Sequence, residues 1–199
     1  YDARNRKEAA MRASIAFVVA VSALGLGAEV VIENDRLAVG VDPGAGTLSV
    51  ADKLAGYTYS QEVQARAGAA PRFRNLARDG GRITFEADFG KTGDAPNTVR
   101  VALELRGADL GIEADVEDRG RPIARFAFLD PLVLDTTASV LAVADYSNGH
   151  LYPLDHKPFP RTWFDADRLD MPWVGLCDVA RGFGYALILE TSNDAVVQM

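Results

Sequence analysis

The chain has 199 residues, 48% of them hydrophobic and 25% charged, with a formal net charge of -7. That is length and apolar content enough for one domain with a buried core, and it excludes a globally disordered chain. The negative balance disfavours a nucleic-acid partner, which needs a one-sided surplus of Lys and Arg. Arg72, Arg74, Arg78 and Arg82 come nearest to one, and Asp79, Glu86 and Asp88 answer them within the same stretch.

In chain order, Tyr1 to Ala10 is polar and charged, and Met11-Arg12 then opens a run from Ala13 to Leu26 with no charge. The run is short of the roughly 20 apolar residues of a membrane span, but it fits a secretory h-region behind a one-Arg n-region. Val21-Ser22-Ala23 or Gly25-Leu26-Gly27 offers small residues for cleavage, and charge returns at Glu29. The expectation is a signal peptide over 11–28, an upstream extension foreign to the protein over 1–10, and a mature domain over 29–199. The product is then secreted or periplasmic, with no membrane association after cleavage. A lone Cys177 makes no intrachain disulfide, so such a domain rests on its hydrophobic core. Its apolar surroundings in sequence predict a buried structural thiol.

From Glu29 onward the dominant period is two, the signature of strands. Val30–Glu33 and Leu37–Val41 flank Asn34-Asp35, and Pro43-Gly44-Ala45-Gly46 turns the chain into a strand over Thr47–Ala51. In the centre, Ile83, Phe85, Ala87 and Phe89 alternate with Thr84, Glu86 and Asp88. Val99, Val101, Leu103 and Leu105 do the same against Arg100, Ala102, Glu104 and Arg106. Leu110, Ile112, Ala114 and Val116 follow after the short Gly107-Ala108-Asp109 link, making antiparallel neighbours. One face of these strands is apolar and the other charged, so the sheet is solvated on one side and covered on the other. Further strands at Ile123–Phe128, Val140–Ala144, Val174–Cys177 and Tyr185–Glu190 supply the cover. The predicted fold is an all-β, antiparallel β-sandwich, with one or two short helical turns at Thr162–Leu169. At the C-terminus Ala195–Met199 opens another strand, which predicts a domain truncated at that end and a protein that continues.

The segment from Asp145 to Tyr185 differs in character. It holds both His (His150, His156), both Trp (Trp163, Trp173), six Asp and four Pro, and reads as a long recognition loop on a sheet scaffold. Aromatic faces combined with groups that bind hydroxyls suit a sugar. Asp165 to Asp170 lacks the glycine and terminal Glu of a calcium loop, so no metal is expected and a solvated acidic turn is the better reading. Asp155 and His156 are sequence neighbours and point to opposite faces of an extended segment, so they form no acid–base dyad. No cofactor is expected, and no pair of carboxylates identifies itself as catalytic.

Glu33-Asn34-Asp35-Arg36-Leu37, Val41-Asp42-Pro43, Gly46-Thr47-Leu48 and Asp52-Lys53 resemble the opening hairpins of galactose-mutarotase-like super-sandwich domains in bacterial glycoside hydrolases. Asn148 to Asp155, Leu169-Asp170-Met171-Pro172-Trp173-Val174-Gly175 and Gly184 to Thr191 resemble the same region in enzymes related to α-N-acetylgalactosaminidases. The resemblance spans roughly residues 29 to 199. It implies a non-catalytic sandwich that braces a separate (β/α)8 barrel carrying the catalytic carboxylates. If the domain touches carbohydrate, the clustering of both Trp and both His nominates Asp155, His156, Trp163, Asp170 and Trp173, with the indoles stacking on sugar rings and the others binding hydroxyls. The rival readings are a free-standing secreted carbohydrate-binding or adhesion module, and a purely structural sandwich.

Overall fold

The structure, a computed structural model, describes residues 28–61, 72–88, 98–116, 132–133, 139–145, 148–155, 163–165, 169–190 and 196–198. The expected signal peptide and the strand expected at Ile123–Phe128 lie outside them, apart from Ala28. The described residues form fifteen strands and no helix. These are β1 (Val30–Glu33), β2 (Leu37–Asp42), β3 (Thr47–Asp52), β4 (Tyr57–Gln61), β5 (Arg72–Asp79), β6 (Arg82–Asp88), β7 (Thr98–Arg106) and β8 (Asp109–Val116). There follow β9 (Leu132–Val133), β10 (Ser139–Asp145), β11 (Asn148–Pro153), β12 (Trp163–Asp165), β13 (Leu169–Asp178), β14 (Phe183–Ile188) and β15 (Val196–Gln198).

They pair antiparallel into a first sheet ordered β1-β2-β3-β4-β9, a second ordered β5-β6-β7-β8, a third ordered β11-β10-β13-β14, and the ribbon β12-β15. The first two sheets make the sandwich. Ile32, Val39, Val41 and Leu48 of the first share one buried cluster with Phe73, Ile83, Phe85, Ala87, Val99, Val101 and Leu103 of the second. Each fully buried Val, Ile or Phe of this kind stabilises by about 1.5–3 kcal/mol relative to exposure, which is what closes the two faces together. The second sheet's other face is solvated as its sequence requires. There Arg74 bridges Glu86 at 3.2 Å and Asp88 at 3.0 Å, and Thr98 donates a hydrogen bond to Asp88.

Local chemistry sets the turns. Asn34 closes the first hairpin, its side-chain oxygen accepting from the N–H groups of Arg36 and Leu37, so the link is three residues long. Gly80 and Gly107 take positive φ in the two tight hairpins of the second sheet, as a primed turn demands. Asn75, at φ 56, marks a bulge in β5 where the pairing with β6 slips.

Two expectations are corrected. Thr162–Leu169 holds no described helical turn: Trp163–Asp165 is β12, hydrogen-bonded to β15, and Leu169 begins β13. Aromatic residues favour the pleated ladder, and a strand partner was at hand. The strand expected at the C-terminus is described as β15, paired with β12. Finally, the supposed long loop from Asp145 to Tyr185 contains β11, β12 and β13. Its prolines do not prevent this. Pro153 ends β11, and Pro172 falls where the β10–β13 ladder is irregular.

Candidate functional site

The third sheet separates two chemistries by alternation. The directly paired rows Tyr152–Leu141–Leu176–Tyr185 and His150–Val143–Val174–Leu187 share one side. On that side Leu141, Val143, Leu169 and Val174 form a second buried cluster, with Tyr152, Leu154 and Leu176 packed on it. His150 stacks on Tyr152 at 5.6 Å between ring centroids and is half-buried there. The rows Pro153–Val140–Cys177–Gly184 and Leu151–Ala142–Gly175–Ala186 take the other side. That side faces outward: Leu151 is 72% exposed and Ile188 67%. No charged side chain appears in these rows, in contrast to the second sheet's ladder of Arg, Glu and Asp.

Trp173 belongs to this outward face, opposite Ile188. Its six-membered ring reaches over Gly175. A Cβ placed on that glycine would come within 3.2 Å of Cζ3 and 3.7 Å of Cε3, and within 3.6 Å of Ala142 Cβ. The indole thus rests on a floor of small residues in a half-buried position. Local backbone explains why it sits there. Val143 pairs with Val174 but Asp145 pairs with Leu169, so residues 170–173 carry length that β10 does not match. A bulge of this kind bends the strand and re-aims its side chains.

The five residues expected to bind sugar do not form one cluster of described side chains. Asp170 and Trp173 share β13, at the end of the sheet where β10 meets β11 through Asp145 and Asn148. Asp155 follows β11 at the opposite end and is exposed, beside the backbone bond from Leu154 N to Ser139 O. Some five residue steps along a strand, roughly 17 Å, separate those ends. Trp163 lies on β12, in the separate ribbon, and His156 lies outside the described residues. Trp173 is therefore the member whose side-chain position supports contact with a ligand.

Cys177 is exposed on the outward face, which corrects its reading as a buried thiol. The stretch Trp173–Cys177 before it is apolar in both parities, so apolar context does not imply burial. The aliphatic part of the face, Leu151 and Ile188, escapes a reading by alternation for the same reason. Its signal is present in Val140-Leu141-Ala142-Val143-Ala144 and Tyr185-Ala186-Leu187-Ile188-Leu189, which run apolar without alternation. Such runs belong to strands with both faces covered.

The strongest electrostatic perturbation lies elsewhere. Tyr57 and Tyr59 of β4 meet Phe183 and Tyr185 of β14, with centroids 4.6 Å apart for Tyr57–Phe183 and 5.0 Å for Tyr59–Tyr185. Burial among these rings pushes the Tyr59 phenol up to about 12, with the Asp52 carboxylate adding to the shift. The Tyr59 hydroxyl is buried and makes no hydrogen bond. This is a packed seam rather than a ligand site, since rings at these distances leave no room between them. Among the described residues no three His, Cys, Asp or Glu side chains group to hold a metal ion. Comparison with protein-family models, with curated proteins and with solved structures finds no match to the chain.

Proposed function

We propose that the chain is the non-catalytic β-sandwich domain of a secreted glycoside hydrolase, bracing the catalytic barrel and lending Trp173 to carbohydrate binding. The observation that supports this most is the indole of Trp173 on an outward sheet face, over Gly175 and beside Ala142. A flat apolar ring of this kind suits the C–H face of a pyranose. The sandwich itself supplies rigidity, so binding residues on it are held with little ordering cost.

The test is Trp173→Ala, assayed by retention on immobilised glycans and by hydrolysis of aryl glycosides with the whole gene product. Loss of a stacking contact is expected to weaken retention about 3- to 10-fold, in line with 0.5–1.5 kcal/mol for ring stacking. Unchanged retention and unchanged hydrolysis in a variant that melts like the parent would sink the reading. A second reading, a free-standing carbohydrate-binding or adhesion module, is favoured by the fact that the Trp173 platform needs no other domain. Glycan retention by a gene product with no glycosidase activity on any substrate selects it.

A further inference from the structure

Gly175 is buried, although it lies on the outward side of the third sheet. Around it on that side Leu151, Ala186 and Cys177 are exposed. What covers the glycine is Trp173, whose six-membered ring takes the space above it. A Cβ there would lie 3.2 Å from Cζ3, inside the about 3.5–4.0 Å of an ordinary carbon–carbon contact. Apart from the indole and the chain neighbours, the nearest atom to it is Ala142 Cβ, at an ordinary 3.6 Å. The backbone gives no second reason for a glycine. Residue 175 pairs regularly with Ala142 and Ala186, and its φ lies outside the left-handed region. Glycine weakens a strand interior and marks a place where another group comes close. Here that group is the indole.

We propose that Gly175 is a positioning residue for the carbohydrate contact: its missing side chain is the seat that holds the Trp173 ring down on the sheet in one pose. This rests on the reading of Trp173 as a sugar-stacking residue. An indole free on an open sheet face samples several rotamers, and a ligand that fixes it must offset the freedom lost. Seated over Gly175 and beside Ala142, the ring is ordered before the ligand arrives, and being only half-buried it keeps a part open to it. A side chain at 175 lifts the ring. Alanine asks it to give by a few tenths of an ångström, and valine, with two more carbons, displaces it from the seat.

The test makes Gly175→Val and Trp173→Ala singly and together in the 199-residue chain. Valine favours strands and glycine does not. Gly175→Val is therefore expected to raise the melting temperature when Trp173 is already Ala, and to raise it less, or lower it, when the indole is present. In a Trp163→Phe background Trp173 is the sole indole, and Gly175→Val should shift its emission to the red and increase its quenching by acrylamide. Retention on agarose-linked galactose, N-acetylgalactosamine and xylan should fall about 2- to 10-fold in Gly175→Val with the indole still in the chain, the size of ordering one side chain on binding. Gly175→Ala should move each readout the same way by less, and carries the test if the valine chain does not fold. Additive melting temperatures with an unmoved emission overturn the proposal, since the ring then does not depend on the seat. So does a Gly175→Val chain retained like the parent while Trp173→Ala is not, a result that leaves the carbohydrate reading standing. If both variants are retained like the parent although the emission moves, the carbohydrate reading fails, the positioning role falls with it, and the contact is one of packing.

Discussion

Tyr59 shows how one atom sets a local balance. Its ring belongs to the core, only 4% exposed, yet its hydroxyl finds no partner. An orphaned buried hydroxyl costs about 1–3 kcal/mol, so removing it while keeping the ring relieves that cost. Tyr59→Phe is therefore expected to stabilise the protein by about 1 kcal/mol in a denaturant titration, and a loss of that size would contradict the orphan assignment. The same residue sets an alkaline limit. In the unfolded chain the phenol ionises near 10, whereas burial holds it un-ionised up to about 12 in the folded one. The unfolded state thus releases its proton first, so this contribution is whole below pH 10 and is lost as pH rises from 10 towards 12. Tyr59→Phe should flatten that decline in a pH series of melts. Some slope remains, because burial also raises Tyr185.

Among the elements, three hairpin loops use one device. Asp42, Asp52 and Asp178 each end a strand, and each carboxylate accepts from the N–H groups that follow: Gly44 and Ala45, Leu54 and Ala55, and Arg181 respectively. Four residues on, Gly46, Gly56 and Gly182 return the chain at φ 68, 63 and 74. Gly56 isolates the backbone term, since a Cβ there would meet nothing within 4 Å. Gly56→Ala should cost about 1 kcal/mol in an unfolding titration through the left-handed conformation alone; no loss would mean the loop relaxes to another turn. The motif is written in the sequence as Asp followed by Gly at the fourth position, but only one of the three, Asp42 with Pro43-Gly44, announces itself by composition. The same contrast holds for strands. β6, β7 and β8 can be read directly, because each has one charged face and a slip of one residue would bury it. The third sheet cannot be oriented that way, since Val140–Ala144, Trp173–Cys177 and Tyr185–Leu189 are apolar in both parities and the alternation that would place Cys177 or Trp173 is missing. Trp173 was readable as a candidate; its outward aim depends on the irregularity at residues 170–173, which is a property of the pairing with β10.

On the scale of the molecule, two buried clusters must act as one protein. The larger joins the first and second sheets, and the smaller lies within the third. The aromatic seam ties them: Tyr57 and Tyr59 belong to the first sheet, Phe183 and Tyr185 to the third. Phe183 touches both tyrosines of β4, at 4.6 Å and 6.3 Å between centroids, so its ring links the first sheet to the third. Phe183 is only half-buried, and replacing it by Ala should cost less than the 3–5 kcal/mol of a fully enclosed aromatic. The distribution of that loss is the informative quantity. If the seam couples two otherwise separate cores, Phe183→Ala lowers hydrogen-exchange protection in β13 and β14 while leaving β6 and β7 at their parental values. A uniform fall across all four strands would mean that the sheets already unfold as one cooperative unit without it. Tyr57→Ala combined with Phe183→Ala completes the cycle, and a coupling energy of about 0.5–1.5 kcal/mol is expected for a ring pair in contact. Coupling near zero would assign the linkage between the cores to backbone connections instead.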